Sequence, residues 1–501
     1  MKPAALICPS TEVELKLALP SSDPAGLAKR LAKVAVLAGC KPTQQHLHNV
    51  YYDSPEQALR QQRVALRMRR IGSGAKPQWL QTLKTAGRDD SALSQRGEWE
   101  VPVPSAQLAL KALHGTAWDR IDPDGTLFQA LTPVFVTSFE RTNWSVRGRD
   151  GSLIQVSLDF GQITAGERIT PICELELELQ AGHPTSLFDL AQAIAATIAV
   201  LPSHASKAQR GYALAQNCLD IPLRAQPPKL SDDLSVPQAA GRVLREMFCQ
   251  FTGNLNALLH SDAPEVVHQA RVGWRRFKSA LRLFKPALVD RAPPPWQALE
   301  VLLATLGQLR DLDVAHVDTL PPLEDAYTGG DCVRTQTWQT MMQALMDATQ
   351  LQRKTVRYAL QQPTVGANLL AATRWLIEMF AANAPDDAGA ESKTSLRRWS
   401  RHRIARLQRQ LKVARHDTDN PTSQHRVRIL AKRLRYCVEA LRSVLPKQRA
   451  TRLCLRATSL QMGLGTRRDV QQAGVLLAEL EVDHGLVEFL RGVAVGQARS
   501  D

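Results

Sequence analysis

The sequence predicts an α+β N-terminal domain built around an antiparallel β-barrel or tunnel with flanking helices, followed by an all-α C-terminal domain of two duplicated helical bundles. Three observations support this division. Segments with strand periodicity, charged on one face and apolar on the other, occupy about the first 220 residues. Helical periodicity replaces them after a proline-rich stretch. Two segments of the helical half also match each other in sequence.

The chain has 501 residues, more than one ordinary hydrophobic core supports, so two or three domains are expected. Its formal net charge of +15 is unevenly distributed. Residues 1–220 contain 23 basic and 21 acidic residues, which leaves 40 basic and 27 acidic residues for the remainder. The excess lies in the C-terminal half and suggests a polyanionic partner there. We expect a first domain at 1–220, a proline-rich linker at 221–235 and a second domain at 236–501.

The eight cysteines are scattered without a C-x-x-C pair, which indicates neither a zinc site nor a disulfide framework and favours a reducing compartment. The short apolar run at the N-terminus is followed by Glu12 before a signal-peptide core could form. No segment approaches the roughly 18 apolar residues that a membrane helix needs. We therefore expect a cytoplasmic protein without a membrane partner. The sequence leaves the oligomeric state open.

The first predicted strand, within TEVELKLAL at 11–19, places Glu12, Glu14 and Lys16 on one face, because successive side chains of a strand point to opposite sides. Taken alone, it could be a surface strand with its charged face in water. Six other segments have strand periodicity and two have helical periodicity. Strands are predicted at 12–19, 64–70, 78–84, 96–103, 134–147, 152–159 and 172–179, and helices near 24–38 and 186–199.

Charged faces recur in the other strands, and acidic and basic strands are largely separate, whereas a solvated outer face would mix the two signs. These faces carry Arg67, Arg69, Lys84, Arg96, Glu98, Glu100, Arg141, Asp159, Glu174, Glu176 and Glu178, and the segment SKAQRGY adds Lys207 and Arg210. A closed antiparallel barrel with a polar lumen and helices over its apolar outer face accounts for the pattern. Carboxylates in such a lumen can ligate a hard divalent cation, and facing cations can bind a triphosphate.

The order of the motifs E-x-E-x-K, paired arginines, a lysine strand, R-x-E-x-E, DFGQITAG, E-x-E-x-E and S-K-x-x-R-G-Y resembles the CYTH family, the triphosphate tunnel metalloenzymes, over about residues 8–217. Within that family the chain is similar to bacterial inorganic triphosphatases. The resemblance implies an eight-stranded tunnel that hydrolyses inorganic triphosphate to diphosphate and phosphate with Mg²⁺ or Mn²⁺. The implied metal ligands are Glu12, Glu14, Asp159, Glu174, Glu176 and Glu178. The implied substrate contacts are Lys16, Arg67, Arg69, Lys84, Arg96, Arg141, Lys207 and Arg210, with Glu12, Glu14 and Lys84 as catalytic residues.

Two alternatives stay open at this point. Adenylate cyclases, thiamine triphosphatases and RNA triphosphatases share the tunnel, and their organic substrates differ at the tunnel mouth rather than in the phosphate clamp. A non-catalytic polyphosphate scaffold is the second alternative. The complete set of carboxylates favours an enzyme, because carboxylates would repel a polyanion and a site that only binds one would not need them.

The helical half contains a duplicated basic segment. HQARVGWRRFKSALRLF from His268 aligns with HRVRILAKRLRYCVEAL from His425, and LGQLRD from Leu306 matches LGTRRD from Leu464. Offsets of 0, 3, 7 and 10 residues form one stripe on a helix. No acidic residue occurs from Arg271 through Val289, so the positive charge of this stripe is not locally compensated. Such a surface is typical of polyanion binding, and a merely solvated basic face is the alternative.

This half resembles the CHAD domain over roughly 236–490, which implies binding of inorganic polyphosphate and makes polyphosphate granules a compatible location. The implied polyphosphate ligands are His268, Arg271, Arg275, Arg276, Lys278, His425, Arg428, Lys432, Arg433 and Arg435. Arg310-Asp311 and Arg468-Asp469 are expected to form helix-packing ion pairs without a ligand role. Nucleic acid is a poorer guest, because aromatic residues make up only 5% of the chain and do not alternate with the basic stripes.

Overall fold

A computed structural model describes residues 10–500 except 22, 24, 73, 75–76, 86, 88–90, 289–291, 382–394, 416–420 and 463–465. The chain divides into two compact units, one formed by Met1–Ile221 with Leu360–Arg374 and the other by Pro222–Ala359 with Trp375–Asp501. The predicted linker has an irregular backbone up to residue 230 and is tied to the second unit, where the Leu223 amide donates a hydrogen bond to Asn254 Oδ1 at 3.0 Å. The predicted domain boundaries stay a prediction.

The first unit contains an eight-stranded antiparallel barrel, as predicted. Its strands are β1 (Ser10–Ala18), β2 (Thr43–Asp53), β3 (Ala65–Ile71), β4 (Gln78–Lys84), β5 (Leu93–Val103), β6 (Thr132–Arg147), β7 (Leu153–Ala165) and β8 (Arg168–Ala181). They pair in the order β5-β4-β3-β2-β6-β7-β8-β1, and the pairing of β1 with β5 closes the ring. A two-residue strand, β9 (Leu201–Pro202), adds to β1.

The register of β1 directs its charged face into the lumen. Glu12 lies opposite Arg96 of β5, and Lys16 lies opposite Glu176 of β8. Leu15 and Leu17 point the other way and are fully buried. Because the side-chain period of a strand is two residues, a slip of one residue would exchange these two faces, so the buried leucines fix the register.

Short helices cover the outside of the barrel. In the first unit they are α1 (Leu27–Leu31), α2 (Ala58–Gln61), α3 (Trp118–Ile121), α4 (Thr126–Gln129), α5 (Thr185–Ala195) and α6 (Lys207–Ala215). Helix α5 buries Leu187, Phe188, Ala191 and Ile194, as its predicted amphipathic pattern requires. Helix α6 begins with a capping box in which Ser206 and Gln209 satisfy each other's backbone amides, and this fixes the position of Lys207 in its first turn.

Two local predictions were wrong or incomplete. The helix predicted near 24–38 begins at a residue outside the described ones, and the described residues 25–38 form only the short helix α1. Leu31, Val34 and Leu37 are buried, and the turns that follow α1 have i→i+3 hydrogen bonds at 2.8–2.9 Å. Apolar residues at every third position can be buried by such turns as well as by a helix, so this spacing does not distinguish the two. Strand β2 was not predicted. The side chains that it turns into the barrel include Asn49 and Tyr51, which are uncharged and therefore lack the pattern of the other strands.

The helices described after residue 222 are α7 (Val236–Ala257), α8 (Pro264–Phe284), α9 (Glu300–Asp313), α10 (Glu324–Thr328), α11 (Cys332–Leu360), α12 (Pro363–Ala381), α13 (Leu396–Ala414), α14 (Pro421–Ala440), α15 (Lys447–Met462), α16 (Thr466–Glu479) and α17 (His484–Ser500). In the second unit, equivalent helices of the two repeats pack on each other, α8 against α14 and α9 against α16. The C-terminal end of α9 and the N-terminal half of α11 share an apolar core with α16 and α17. The two basic stripes therefore come together in one region of the second unit.

Among the described helices, none is both long enough and apolar enough to cross a membrane.

Candidate functional site

The barrel encloses a cavity of about 760 Å³ lined mainly by charged side chains. Eleven of the predicted tunnel residues line it: Glu12, Glu14, Lys16, Arg67, Arg69, Lys84, Arg96, Arg141, Glu176, Glu178 and Lys207. Asp159, Glu174 and Arg210 lie just behind Lys207 and contact it or each other. The structure therefore brings the whole predicted set together, although these residues come from strands and a helix far apart in sequence.

One corner of the cavity is formed by the two glutamates of β1. Lys84 Nζ lies 2.9 Å from Glu12 Oε1, and Arg96 donates from Nε to Glu12 Oε2 at 2.9 Å and from Nη2 to Glu14 Oε1 at 2.5 Å. Lys16 Nζ also contacts Glu14 Oε1 at 2.5 Å. Burial alone would raise the pKa of Glu12, but Lys84 and Arg96 outweigh it and hold this pKa below its ordinary value. Glu12 is therefore ionised at neutral pH.

A second corner contains three carboxylates that surround one ammonium group. Lys207 Nζ lies 2.5 Å from Asp159 Oδ2, 2.5 Å from Glu174 Oε1 and 3.0 Å from Glu176 Oε1. Arg141 Nη2 contacts both Asp159 and Glu176 at 2.6 Å. Burial raises the pKa of Glu176, but Lys207 and Arg141 outweigh it and keep this pKa well below the ordinary range. We call Asp159, Glu174 and Glu176 the carboxylate triad.

The triad has the donor chemistry of a site for a hard divalent cation. Three oxygens, one from each carboxylate, lie within 4.8 Å of one another. They converge on a single position, which the ammonium of Lys207 fills at 2.5–3.0 Å. Such cations take carboxylate oxygens at about 2.0–2.6 Å, so these residues fit a metal provided that Lys207 moves aside.

The opposite wall carries the two arginines of β3. Arg67 lies 3.6 Å from Glu98 and 3.7 Å from Glu100, beyond hydrogen-bonding distance, and its Nε is buried without a partner. Arg69 contacts Glu100 at 3.3 Å. Burial and the neighbouring Arg67 lower the pKa of Arg69 to about 10. This wall presents two neighbouring guanidiniums, and Arg67 Nε is a buried donor without a partner, so an anionic guest in the cavity could bind here.

Three residues that line the cavity, Glu98, Glu100 and Tyr51, had no predicted role as ligands. Glu98 bonds Lys84 at 3.0 Å, and Glu100 accepts a hydrogen bond from Thr82 at 2.9 Å. The alternation QRGEWEVPV predicts that both glutamates lie on the charged face of β5, so the sequence did indicate that they face the cavity. No feature of the sequence indicated that Tyr51, on the unpredicted strand β2, would do so. Glu178 is separate from the triad, and burial together with Glu12 raises its pKa.

In the helical unit, the two basic stripes meet in a second group of charges, which we call the basic cluster: Arg271, Arg275, Arg428 and Lys432. Burial, Arg275 and Arg428 lower the pKa of Lys432 to about 7. Burial and Arg275 lower the pKa of Arg271 to about 10. His268 is half-buried beside these arginines, and burial and Arg310 lower its pKa. Cations from both repeats are thus held close together although they repel each other.

The Arg-Asp dipeptides of the two repeats, Arg310-Asp311 and Arg468-Asp469, also reach this cluster and do more than form the expected simple ion pairs. Arg310 pairs with Asp318 at 3.3 Å rather than with its neighbour Asp311. Arg468 Nη1 lies 3.4 Å from His425 Nδ1. Asp469 interacts electrostatically with Arg428 and Lys432 of the basic cluster. Their spacing behind each motif histidine was visible in the sequence, but only the packing of α9 against α16 assigns them to the cluster.

Four further predicted polyphosphate ligands lie outside the basic cluster. Arg276 is only 1% exposed and its guanidinium is bound by Glu246 at 3.1 Å, so we leave it out of the proposed site. Lys278 lies over the Trp274 ring, and Arg435 pairs with Glu439 at 3.0 Å. The fourth, Arg433, lines a separate pocket in the same unit.

Comparisons with known proteins match both units. Residues 10–212 match the CYTH domain and residues 242–478 match the CHAD domain. An inorganic triphosphatase of Haemophilus influenzae is 36% identical over 204 residues, which cover 40% of this chain and 54% of the relative. This chain therefore spans about half the length of that curated relative.

Two solved structures match parts of the chain. The CHAD domain from the plant Ricinus communis is 27% identical with a TM-score of 0.46, and the match covers 56% of this chain and 92% of that one. A putative adenylyl cyclase of Hippeastrum, described as having a dominant triphosphatase activity, is 19% identical with a TM-score of 0.31 and covers 42% of this chain and 98% of its own. On the two domain matches, this chain contains a CYTH domain followed by a CHAD domain.

Proposed function

We propose that the tunnel hydrolyses inorganic triphosphate to diphosphate and phosphate with a divalent cation, Mg²⁺ or Mn²⁺. The observation that carries the proposal is the combination, in one cavity, of a convergent carboxylate triad with an arginine wall whose donors are not all used. A triphosphate with its cation supplies both missing partners. The similarity to the triphosphatase of Haemophilus influenzae supports the same activity.

In this proposal, substrate binding exchanges partners within the tunnel. Arg96 and Lys84 now neutralise Glu12 and Glu14, and Arg141 and Lys207 neutralise the triad. A bound triphosphate accepts charge-assisted hydrogen bonds from these cations, which frees the carboxylates to hold metal. Asp159, Glu174 and Glu176 are the proposed ligands in the second corner, and Glu12 and Glu14 in the first.

A bound divalent cation would supply a polarised water and offset the charge that builds up on the phosphoryl oxygens. The chain's own contribution is positional and electrostatic. Arg67 and Arg69 hold the phosphate chain from the opposite wall, and Lys84 neutralises developing charge beside Glu12. Because the barrel holds these groups on its walls, little further reorganisation is needed during the reaction once substrate and cation are bound.

The test is phosphate release from a panel of triphosphates with Mg²⁺, with Mn²⁺ and with a chelator. We expect hydrolysis of inorganic triphosphate that the chelator abolishes. Preference for thiamine triphosphate or ATP at equal concentration would favour the organic-substrate alternative. If no triphosphate is hydrolysed under any of these conditions, the tunnel belongs to a non-catalytic polyphosphate scaffold.

We also propose that the helical domain binds inorganic polyphosphate through its basic cluster. The supporting observation is that α8 packs against α14 and brings the cations of both repeats together. Burial, together with Arg275 and Arg428, lowers the pKa of Lys432, and an added polyanion would offset the repulsion from the two arginines. Polyphosphate is a repeating polyanion that can contact both stripes at once. Binding to it should weaken steeply with salt, as counterion release requires.

The full-length protein with Arg271, Arg275, Arg428 and Lys432 replaced by Glu tests this second proposal. We expect loss of long-chain polyphosphate binding and unchanged hydrolysis of inorganic triphosphate. A matched control reverses four exposed arginines of α13 and α15 in the same unit: Arg401, Arg409, Arg452 and Arg456. Equal loss of binding in both variants would indicate a general charge effect rather than a site.

A further inference from the structure

A separate pocket of about 250 Å³ lies in the helical unit between the C-terminal end of α8, α13 and α14. Its charged lining consists of cations: Arg282, Lys285, Arg403, Arg406 and Arg433. No carboxylate lines it among the described residues, and none of the four residues of the basic cluster does either. It is therefore an anion-attracting pocket outside the proposed polyphosphate site.

The internal repeat explains how this pocket arose. An interval of 157 residues separates the two motif histidines, and the same interval separates the starts of α8 and α14 and the ends of α7 and α13. By this interval Arg433 is equivalent to Arg276, and Arg403 is equivalent to Glu246. The two halves can therefore be compared position by position.

In the first repeat, the chain provides its own counterion. Glu246 accepts hydrogen bonds from Arg276 Nη1 and Nη2, both at 3.1 Å, and Gln250 accepts a further one from Nη1. The side chain of Arg276 is buried as a result. In the second repeat, Arg403 and Leu407 occupy the positions of Glu246 and Gln250. A carboxylate–guanidinium pair has become a pair of guanidiniums.

Nothing in the described part of the second unit replaces the lost carboxylate. Arg403 Nη2 donates to the backbone oxygens of Arg282 and Leu283 at 3.3 and 2.9 Å, but its Nε is buried without a partner. Arg433 forms no ion pair with any described residue, and burial and Arg282 lower its pKa. The Cys437 thiol is no substitute, because burial raises its pKa to about 12 and leaves it neutral.

We propose that this pocket binds a compact phosphoryl oxyanion, of the size of orthophosphate or diphosphate, in the place of the carboxylate that Glu246 supplies in the first repeat. Guanidiniums bind phosphoryl oxygens through paired, charge-assisted hydrogen bonds. Five cations, with no acid among the described lining residues, favour a multivalent anion over a single carboxylate. The anion has two sources, a free ion or the end of a polyphosphate chain. The proposal does not depend on the activity of the tunnel.

Calorimetric titration of the full-length protein with orthophosphate and with diphosphate tests the proposal. The parent carries Arg67→Ala and Arg69→Ala to weaken binding in the tunnel. Arg403→Glu recreates the charge arrangement of the first repeat, so we expect one binding site to be lost or weakened at least about tenfold. Arg433→Gln removes the charge without reversing it and should have the same effect. The matched control, Arg401→Glu, reverses an exposed arginine of α13 outside the pocket and should retain that site.

Equal binding by the parent, Arg403→Glu and Arg433→Gln would overturn the proposal. It would also fail if the parent bound long-chain polyphosphate at this pocket but neither orthophosphate nor diphosphate, since the pocket would then be part of the polyphosphate surface. Weaker binding of both short anions in the two pocket variants, with the control unchanged, supports a free anion. Triphosphate hydrolysis, measured with each pocket change in the unaltered tunnel background, should stay at the wild-type rate.

Discussion

Glu176→Gln provides the sharpest test of the tunnel. Glu176 accepts a hydrogen bond from Lys207 at 3.0 Å and one from Arg141 at 2.6 Å. Three carboxylates of the triad face three cations, the third being Arg210 beside Glu174. Removing one carboxylate leaves a surplus positive charge in a site where these side chains are at most 18% exposed.

The cost in stability follows from this surplus. Breaking a buried ion pair by removing one partner costs roughly 3–5 kcal/mol, and two carboxylates remain here, so we expect about 3 kcal/mol. A domain with about 5–15 kcal/mol of stability stays folded after this change. Replacing Glu174 as well would double the surplus, and for that reason the single variant is the better test.

The effect on activity should be larger than this loss of stability suggests. A carboxylate that holds metal cannot be replaced by an amide without loss of charge, so kcat/KM for triphosphate should fall at least about hundredfold. The metal concentration for half-maximal rate should rise. The assay is phosphate release over a series of Mg²⁺ concentrations. Glu140→Gln, an exposed glutamate beside Arg141 on the outer face of β6, is the matched control and should behave as wild type.

Acid denaturation gives an independent measurement. The folded-state pKa of Glu176 lies well below its ordinary value of 4.5, so its stabilising contribution is complete above about pH 4.5 and is lost as the pH falls toward the folded pKa. The difference in unfolding free energy between wild type and Glu176→Gln should therefore shrink below pH 4.5. A variant with kcat/KM within tenfold of wild type and the same metal requirement would refute the reasoning.

Three further predictions concern the arginine wall of β3, the helical domain and the packing of α6 against the barrel. Arg67→Ala with Arg69→Ala should lower kcat/KM for triphosphate by at least about a hundredfold with little change in metal requirement, and unchanged kinetics would remove this wall from the site. The pKa of Lys432, lowered to about 7, predicts that polyphosphate affinity falls as the pH rises from 7 to 9, and titrations of Lys432→Arg should lack this dependence. Gly211→Ala places a methyl group 2.1 Å from the Phe135 ring, so thermal unfolding should show a loss of about 1–3 kcal/mol.

Local periodicity determined most of the barrel before any tertiary contact was known. The alternation of Glu12, Glu14 and Lys16 with apolar residues predicts both a strand and the identity of its inward face. The same argument predicts the charged faces of β3, β4, β6, β7 and β8. Such faces can be recognised from the sequence because they carry more charge than an ordinary core strand. Their charges are also more uniform in sign than those of a solvated surface.

Where side chains were uncharged or apolar spacing was ambiguous, the sequence did not suffice. Asn49 and Tyr51 gave no sign of β2, and the spacing of Leu31, Val34 and Leu37 fits turns as well as a helix. In these segments the conformation is chosen by the neighbours that cover the side chains. Local preferences are weaker than such packing, so tertiary contacts decide the outcome.

By itself, then, the sequence predicted a charged tunnel and a duplicated basic helix, together with most of the residues that carry their charges. The tertiary structure alone decided how those charges are partnered. It placed Lys207 among three carboxylates, and it buried Arg276 against Glu246. Arg433, the equivalent of Arg276, lines a pocket to which no described residue contributes an acid. A residue's type fixes its charge, whereas its counterion is set by helices and strands distant in sequence, and in a buried site the counterion decides whether that charge is free to bind a ligand.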